Sequence, residues 1–255
     1  MSALRARCPD CRTFTAVALD DAYECHRCAR VFAAGLVRVP RAWGEGGEAM
    51  AEAAALAIPY PEVGVVERDA LDDQSDALAA MLPARPVVLG GCCCAHIGAV
   101  QGLAGRIGRL GVVWLDAHGD LNTNETSPSG NLWGMPLRML LDDGVVASED
   151  VALVGARNLD PAEVEYLTKT GIDDSPERAL ADVDAAYVAL DLDVLDASEA
   201  DVFMEEPDGL SLVEVEAVLL EVKGHARIVG AGVTGVVSSD RNVPVITRLL
   251  AAAGF

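Results

Sequence analysis

The feature that most constrains the fold of this chain is a series of short apolar runs. Each run ends in glycine or aspartate and is followed by a helical pattern. Because the runs are apolar at every position, they predict strands covered on both faces, which is typical of a parallel sheet between helices. We therefore expect an α/β protein with three α/β/α layers and a largely parallel central sheet. The predicted strands are residues 87–91, 111–117, 151–156, 185–193 and 226–235.

Two of these runs end in acidic residues at alternate positions. The residues concerned are Asp116, His118 and Asp120 after one strand and Asp191 and Asp193 at the end of another. Alternate side chains point to one side of a strand, and parallel sheets bind ligands beyond the carboxyl ends of their strands. Four carboxylates brought together there repel one another unless a cation neutralises them, whereas solvated loop acids or helix caps would not explain the repeated placement. We expect a divalent metal site. Oxygen ligands with one imidazole favour Mn²⁺, and Zn²⁺, Fe²⁺, Co²⁺ and Ni²⁺ remain alternatives.

The N-terminal segment carries two Cys-x-x-Cys pairs, separated by a polar stretch with strand character. The four residues are Cys8, Cys11, Cys25 and Cys28. Two such pairs direct four thiolates at one ion, which is the closed coordination of a structural Zn²⁺ site. We predict a zinc ribbon over residues 1–40 and the α/β domain over residues 41–255. His26 lies inside one pair and is interpreted as a bystander.

Composition restricts the partners of the chain. The formal net charge of -21 over 255 residues argues against nucleic acid, because phosphate binding depends on clustered Lys and Arg. A small cationic or zwitterionic ligand fits this charge better. The N-terminus has no apolar signal region, and no stretch has the apolar length that spans a bilayer. We expect a cytoplasmic protein with no membrane partner, in which a reducing compartment leaves the seven cysteines free.

Three motifs carry a resemblance to a known family. DAHGDLN at residues 116–122, SGNLWGMP at 129–136 and ALDLDVLD at 189–196 resemble the signature motifs of the arginase/agmatinase (ureohydrolase) family. The resemblance covers about residues 86–250. It implies a hydrolase acting on the non-peptide C–N bonds of linear amidines, such as guanidino compounds, that commonly assembles into homo-oligomers.

The same resemblance implies roles for the acidic residues. Asp116 and Asp191 would bridge two metal ions, His118 and Asp193 would complete one site, and Asp120 would belong to the other. A hydroxide bridging the ions would be the nucleophile, because two cations lower the pKa of a bound water. Asp120, His118 and Asp193 are the candidate catalytic residues.

The chain departs from the family pattern at the first metal-ligand motif. Where the family has GGDHS, residues 90–94 read GGCCC, so that Cys93 occupies the place of a histidine ligand. A thiolate is softer than imidazole, so the altered site either prefers Zn²⁺ or Fe²⁺ or is weakly occupied. His96 is predicted to lie on the following helix as a structural histidine.

Two further departures concern substrate. Trp133 stands where arginases have a histidine near the scissile group, and Gly235 aligns with an acidic residue that grips the guanidinium. Tryptophan cannot shuttle protons but can stack on a planar cation. Glu205 and Glu206 are possible substitutes for the missing acid, although a solvated acidic turn is the preferred interpretation.

The same resemblance implies that the chain retains the residues that bind the amino-acid end of the substrate in the arginase pocket. The candidate substrate-binding residues are Asn122, Ser127, Ser129, Asn131, Trp133 and Asp160. Such residues are also common in loops, but their joint match favours an α-amino acid over a decarboxylated amine.

Three hypotheses follow. The leading one is a metal-dependent hydrolase of an arginine-like amino acid with a modified head group, such as an N-hydroxylated arginine. The second is a catalytically impaired pseudoenzyme that serves as a binding or regulatory protein. The third uses Cys92, Cys93 or Cys94 as a nucleophile, which requires a lowered thiol pKa and a nearby base.

Overall fold

The structure, a computed structural model, describes residues 4–255 and contains two sheets. A small antiparallel sheet at the N-terminus consists of β1 (Arg5–Ala6), β2 (Ala16–Leu19), β3 (Ala22–Cys25) and β4 (Val31–Phe32). The larger sheet consists of β5 (Gly35–Val39), β6 (Glu62–Val65), β7 (Pro86–Gly90), β8 (Leu110–Leu115), β9 (Val151–Val154), β10 (Ala185–Asp191) and β11 (Ile228–Thr234).

The seven strands of the large sheet are all parallel. Their order is β6-β5-β7-β11-β10-β8-β9. The helices that cover the sheet are α1 (Glu48–Ala53), α2 (Leu71–Met81), α3 (Ala95–Ala104), α4 (Pro136–Asp142), α5 (Pro161–Thr170), α6 (Pro176–Ala179), α7 (Leu212–His225) and α8 (Asn242–Ala252).

Alternate side chains of each central strand enter different hydrophobic cores. Val113 and Leu115 of β8 belong to the core shared with α7 and α8, whereas Val112 and Trp114 belong to the core shared with α2, α3 and α4. A sheet buried on both faces in this way explains why its strands are apolar at every position. The predicted three-layer α/β/α fold with a parallel sheet is confirmed. Within residues 4–255, no helix combines the length and the apolar content needed to cross a bilayer.

The sheet begins earlier than the sequence predicts. Gly35–Val39, which the sequence analysis assigned to the ribbon, pairs along its whole length with β7 in the large sheet. The domain boundary predicted after residue 40 therefore differs from the structure, in which the ribbon strands end at Phe32. β6 was also missed, because its sequence EVGV is short and only partly buried at the sheet edge.

The small N-terminal sheet of β1 to β4, called the ribbon here, brings four cysteines together. Their sulfur atoms all lie within 4.8 Å of one another, with Cys8 Sγ 3.9 Å from Cys28 Sγ and Cys11 Sγ 3.9 Å from Cys25 Sγ. Tetrahedral coordination with Zn–S bonds of about 2.3 Å requires sulfur atoms about 3.8 Å apart, so these four positions match a zinc site. His26 is exposed and lies outside this group.

The ribbon is attached to the edge of the large sheet. Arg7 pairs with Glu62 of β6 through two backbone hydrogen bonds, Arg7 N to Glu62 O at 2.7 Å and Glu62 N to Arg7 O at 2.9 Å. Val63 of the same strand packs against the small core of the ribbon. The two sheets are therefore joined by backbone pairing as well as by side-chain contacts.

Candidate metal centre and active site

The candidate site lies at the carboxyl ends of four neighbouring strands, β7, β11, β10 and β8. Cys93 follows β7, Asp191 is the last residue of β10, and Asp116 directly follows β8. All three side chains are at most 6% exposed. Because these strands are adjacent in the sheet, residues far apart in sequence meet at one edge.

One group of donors consists of Asp116, His118 and Asp193. His118 Nδ1 lies 3.0 Å from Asp193 Oδ2 and 3.3 Å from Asp116 Oδ1. Their donor atoms all lie within 4.8 Å of one another. The residues predicted to complete one metal site are thus brought together.

A second group consists of Cys93, Asp116 and Asp191, whose donor atoms also lie within 4.8 Å of one another. Cys93 Sγ is 2.9 Å from Asp191 Oδ2 and 3.8 Å from Asp116 Oδ2. Asp116 is common to both groups, as expected of a bridging ligand, whereas Asp191, for which the same role was expected, belongs to this group alone. The structure therefore places the Cys93 thiol among the carboxylates.

Backbone amides fix the orientation of these carboxylates. The Oδ1 atom of Asp116 accepts from the amide of His118 at 2.7 Å, and that of Asp191 accepts from the amide of Asp193 at 3.0 Å. Asp193 Oδ1 accepts from the amide of Ala117 at 2.9 Å. These hydrogen bonds hold the three carboxylates in fixed orientations before a ligand arrives.

Asp120 has an unusual backbone conformation at the same edge. Its φ angle is 52°, in the left-handed region that costs most residues energy but that Asp tolerates better than others. Its Oδ2 atom is buried and has no hydrogen-bond partner among residues 4–255. A buried acceptor without a partner is unfavourable by itself and indicates a missing ligand.

The electrostatics of the site point to the same conclusion. Burial, followed by the charge of Asp193, raises the pKa of Asp191 to about 7, and burial raises the pKa of Asp193 to about 6 with a further contribution from Asp116. Burial also raises the pKa of Asp120 well above its usual value, reinforced by Asp116. A divalent cation would remove these penalties by neutralising the carboxylates.

The pKa of His118 is also raised, but for a histidine this shift favours the charged form. Burial lowers its pKa, but the hydrogen bonds and charges of Asp116 and Asp193 outweigh burial and raise the pKa to about 12. A proton on His118 thus occupies the place that a cation would take between these carboxylates. Carboxylate oxygens, one imidazole and one thiol form a donor set that suits a divalent transition metal.

A cavity of about 270 Å³ opens above these donors. Five of the predicted substrate-binding residues line it: Asn122, Ser127, Ser129, Trp133 and Asp160. Asn131 does not, because its side-chain oxygen accepts a hydrogen bond from the backbone amide of Glu45 at 2.9 Å. Asn122 donates to Asp160 at 2.8 Å, so these two polar side chains are held together at one side of the cavity.

Gly235, at the position aligned with the family's acidic residue, leaves no room for a side chain. Its φ angle is +73°, and a Cβ atom there would overlap the carboxylate of Asp191. The missing acid therefore cannot be restored by a simple substitution in this backbone. Apolar rings also line the cavity, with Trp133 and Phe203 in edge-on contact at 5.8 Å between ring centroids.

Glu206 corrects one interpretation from the sequence. It was interpreted as part of a solvated turn, but its side chain is only 18% exposed, and its Oε1 atom lies 3.4 Å from His118 Nε2. The same oxygen accepts a hydrogen bond from the side-chain amide of Asn158, Nδ2, at 2.7 Å. Glu206 therefore places a further carboxylate beside the metal donors, while Glu205 is exposed as expected.

Several cavity residues were missed by sequence analysis. They are Met50, Asn158, Glu163, Phe203 and Met204. Glu163 had a detectable signal, because Asp160 and Glu163 form a capping box at the start of α5. Its two carboxylate oxygens also accept from the amides of Leu121 and Asp160, so it fixes the loop that carries Asp120.

The fold and the site together define an α/β/α protein with a candidate divalent-metal centre at the carboxyl ends of its parallel strands. The sequence profile of the arginase family matches residues 29–253. The chain belongs to the arginase family. The match leaves out the first 28 residues, which hold all four ribbon cysteines.

Individual relatives agree with this assignment. The arginase of Staphylococcus aureus (strain MRSA252) is 37% identical over 142 residues, 45% of this chain and 47% of that protein. The chain thus spans about half the length of the curated relatives that it matches. The structure of Bacillus caldovelox arginase superposes with a TM-score of 0.73 at 26% identity, covering 86% of this chain and 97% of that one. The proclavaminate amidino hydrolase of Streptomyces clavuligerus superposes with a TM-score of 0.66 at 20% identity over 86% of this chain and 89% of that one, which shows a shared fold.

Proposed function

We propose that the protein hydrolyses a guanidino or amidino C–N bond in an arginine-like amino acid, as a metal-dependent hydrolase of the ureohydrolase type. The observation that supports this most directly is the pair of donor groups sharing Asp116 at the floor of one cavity. The same proposal places the protein in the cytoplasm and gives it a small-molecule substrate. It also includes assembly into a homo-oligomer and a ribbon that binds zinc.

Asp116, His118 and Asp193 would hold one divalent ion, for which Mn²⁺ is our choice, and Cys93, Asp116, Asp120 and Asp191 would hold a second. When bound, the ions would supply a water of lowered pKa and positive charge to stabilise the tetrahedral intermediate. The protein's own residues orient these ligands, since backbone amides hold the Asp116, Asp191 and Asp193 carboxylates in place.

Proton transfer in this proposal uses carboxylates beside the candidate metal ligands. Trp133 cannot move a proton, so the carboxylates of Asp120 and Glu206 are the candidates for accepting one. Glu206 is held by Asn158 and lies beside His118, at the edge of the donor group. Trp133 and Phe203 add apolar surface to the lining of the same cavity.

The substrate proposal follows from what each wall offers. Asn122, Ser127, Ser129 and Asp160 provide hydrogen-bonding groups suited to an α-amino acid. At the head-group end Gly235 provides no carboxylate, and the cavity is lined by the indole of Trp133, a ring type that stacks on planar cations. An N-hydroxylated guanidino group, which is less basic than guanidinium, fits a head-group pocket without a carboxylate.

Arginine, N-hydroxyarginine and agmatine, each offered to protein loaded with Mn²⁺ and Zn²⁺, test the proposal directly. We expect urea or hydroxyurea release with the two amino acids and little turnover of agmatine. Turnover of agmatine alone would contradict the amino-acid assignment. Failure to cleave any of them by protein with full metal content would support the second candidate, a pseudoenzyme, which Trp133 and Gly235 favour.

The cysteine-nucleophile hypothesis fits the structure poorly at Cys93 and Cys94. Cys92 is its remaining candidate: Cys92 lines the cavity, and although burial raises the pKa of its thiol, hydrogen bonds from Cys94 and from the backbone outweigh burial and lower that pKa. Burial, followed by the charge of Asp191, raises the pKa of Cys93 well above its usual value, which opposes the thiolate needed for attack. Cys94 does not line the cavity. Among the described residues around Cys93, the polar neighbours are carboxylates and Thr234 rather than a basic histidine.

A further inference from the structure

Behind Cys93 lies a row of buried polar side chains without a role in the proposed reaction. His96, on the first turn of α3, and Tyr187, in β10, are both fully buried, as is Thr234 at the end of β11. His96 Nδ1 lies 2.9 Å from Tyr187 Oη, and His96 Nε2 lies 3.2 Å from Thr234 Oγ1. Thr234 Oγ1 is 3.3 Å from both Cys93 Sγ and Asp191 Oδ2. The row therefore ends on the Cys93 donor group.

The direction of these hydrogen bonds follows from counting protons. Tyr187 Oη has no second hydrogen-bond partner within residues 4–255, so its buried hydroxyl is satisfied only by donating to His96 Nδ1. His96 then carries its hydrogen on Nε2 and donates it to Thr234 Oγ1. Thr234 in turn is left with one hydrogen, which it directs at Cys93 Sγ or Asp191 Oδ2.

The surrounding structure makes space for this row. A side chain at Gly232 would overlap the hydroxyl of Tyr187 and the ring of His96. The His96 ring also packs edge-on against Trp114 and Tyr187, with centroid distances of 5.0 and 5.9 Å. No member of the row is among the unsatisfied buried atoms of the described chain. The polar groups of His96, Tyr187 and Thr234 are therefore all paired within a packed environment.

We propose that the group Cys93, Asp116 and Asp191 is a thiolate site selective for a thiophilic divalent ion, Zn²⁺ in preference to Mn²⁺, with Thr234 as its positioning hydrogen-bond donor. The inference deepens the proposed function and rests on it only in placing a divalent ion in this cavity. On binding, the Cys93 S–H bond breaks, the proton passes to the buffer, and a sulfur–metal bond forms. Thiolate ligands favour Zn²⁺ over Mn²⁺, and groups that donate to ligands from behind tune both orientation and affinity.

Cobalt spectroscopy tests this without any turnover measurement. Co²⁺ occupies Zn²⁺ sites, and a thiolate ligand gives it a charge-transfer band in the near ultraviolet. The full-length protein would first be given one equivalent of Zn²⁺ to fill the ribbon and then titrated with Co²⁺. Wild type, Cys93→Ser and Thr234→Val would be compared with Cys94→Ser, a control that removes an adjacent buried thiol outside the cavity.

We expect wild type and Cys94→Ser to develop the band and Cys93→Ser to lose it. Thr234→Val should keep the band but bind the ion roughly 10-fold more weakly, because it loses a hydrogen bond to the ligands and not a ligand itself. Circular dichroism melting would show whether each variant is folded, and Thr234→Val provides a second test if Cys93→Ser does not fold.

Two results would overturn the inference. One is a band of equal intensity in Cys93→Ser, and the other is tighter binding of Mn²⁺ than of Zn²⁺ by wild type in direct competition. The proposed function fails separately: a protein with the band but without urea or hydroxyurea release keeps the thiolate site and loses the hydrolase assignment. Turnover without the band would leave the hydrolase and refute the thiolate site.

Discussion

At the scale of single residues, the site is organised around Asp116. It is 1% exposed, contributes to both donor groups, and receives a hydrogen bond from Trp114 Nε1 at 3.2 Å in addition to the amide of His118. Burying an unneutralised carboxylate costs free energy, which is returned when a cation binds. The buried Asp116 carboxylate therefore lowers the stability of the metal-free fold, and we infer that its role is to bind a ligand.

Asp116→Ala should abolish activity and reduce the metal bound in the cavity at both donor groups, with little loss of fold, because the side chain follows a strand end. Asp191→Ala should also abolish activity, with its loss of metal confined to the Cys93 donor group. Metal analysis and urea or hydroxyurea release would be measured together. The control is Asp196→Asn, since Asp196 caps the turn at Ser198 outside the cavity. Full activity in either alanine variant would refute the hydrolase mechanism.

Cys93→His should shift the preference of its donor group from Zn²⁺ toward Mn²⁺, because imidazole is a ligand of intermediate softness beside oxygen donors. Elemental analysis after equilibration with both ions would measure the shift. If occupancy of this site limits turnover, activity with Mn²⁺ should rise as well. Reduced Mn²⁺ content in a folded variant would show that residue 93 is not a ligand position.

At the scale of elements, the ribbon and the cavity of the candidate site are separate. The cysteine group belongs to the small sheet and the ribbon's own core, whereas the cavity lies at the carboxyl ends of β7, β8, β10 and β11. Within residues 4–255, the only backbone pairing between the ribbon and the β6 edge of the large sheet is the Arg7–Glu62 pair. We therefore expect the two metal sites to be filled independently.

Cys8→Ser should release about one zinc ion per chain and loosen the ribbon while the cavity retains its metal, because a closed four-sulfur site loses most of its affinity with one ligand. Metal stoichiometry and hydrogen exchange in residues 4–32 would report the two effects. The matched control is His26→Ala, which changes an exposed residue between Cys25 and Cys28 that is not a ligand. Loss of all bound metal in Cys8→Ser would show that the sites are coupled.

The sequence predicts the elements with strong local signals and misses those defined by tertiary contacts. The five apolar runs were recognisable because both faces of each strand are buried, whereas β5 and β6 are recognisable mainly by their pairing with neighbours. The alternating acids after β8 and β10 predicted the donor groups for the same local reason. Glu206 and Thr234 carry no such pattern, because their importance arises only when loops and strands distant in sequence meet.

At the scale of the whole molecule, the buried carboxylates couple stability to pH. In metal-free protein the pKa of Asp191 is raised from 3.8 to about 7 and that of Asp193 to about 6, so the folded state binds more protons than the unfolded state across that window. His118, with its pKa raised to about 12, acts in the same sense at higher pH. Stability is therefore present at low pH and lost as pH rises through these values.

The melting temperature of chelator-treated protein should accordingly fall between about pH 5 and pH 8, because these carboxylates must then ionise without a counter-ion. Asp191→Asn, which mimics the protonated form, should show a smaller fall, and added Zn²⁺ or Mn²⁺ should oppose it in wild type. A wild-type decrease no larger than that of Asp191→Asn would exclude Asp191 as the source of the effect.

The pairing of Arg7 with Glu62 has a consequence for the behaviour of the protein in concentrated solution. β6 is the last strand on its side of the sheet, and the ribbon covers backbone groups that would otherwise be open to another chain. Open strand edges act as templates for aggregation. If zinc holds the ribbon in place, zinc supply determines whether this edge is covered. Chains depleted of zinc should then associate edge to edge through β6 at concentrations where filled chains stay dispersed.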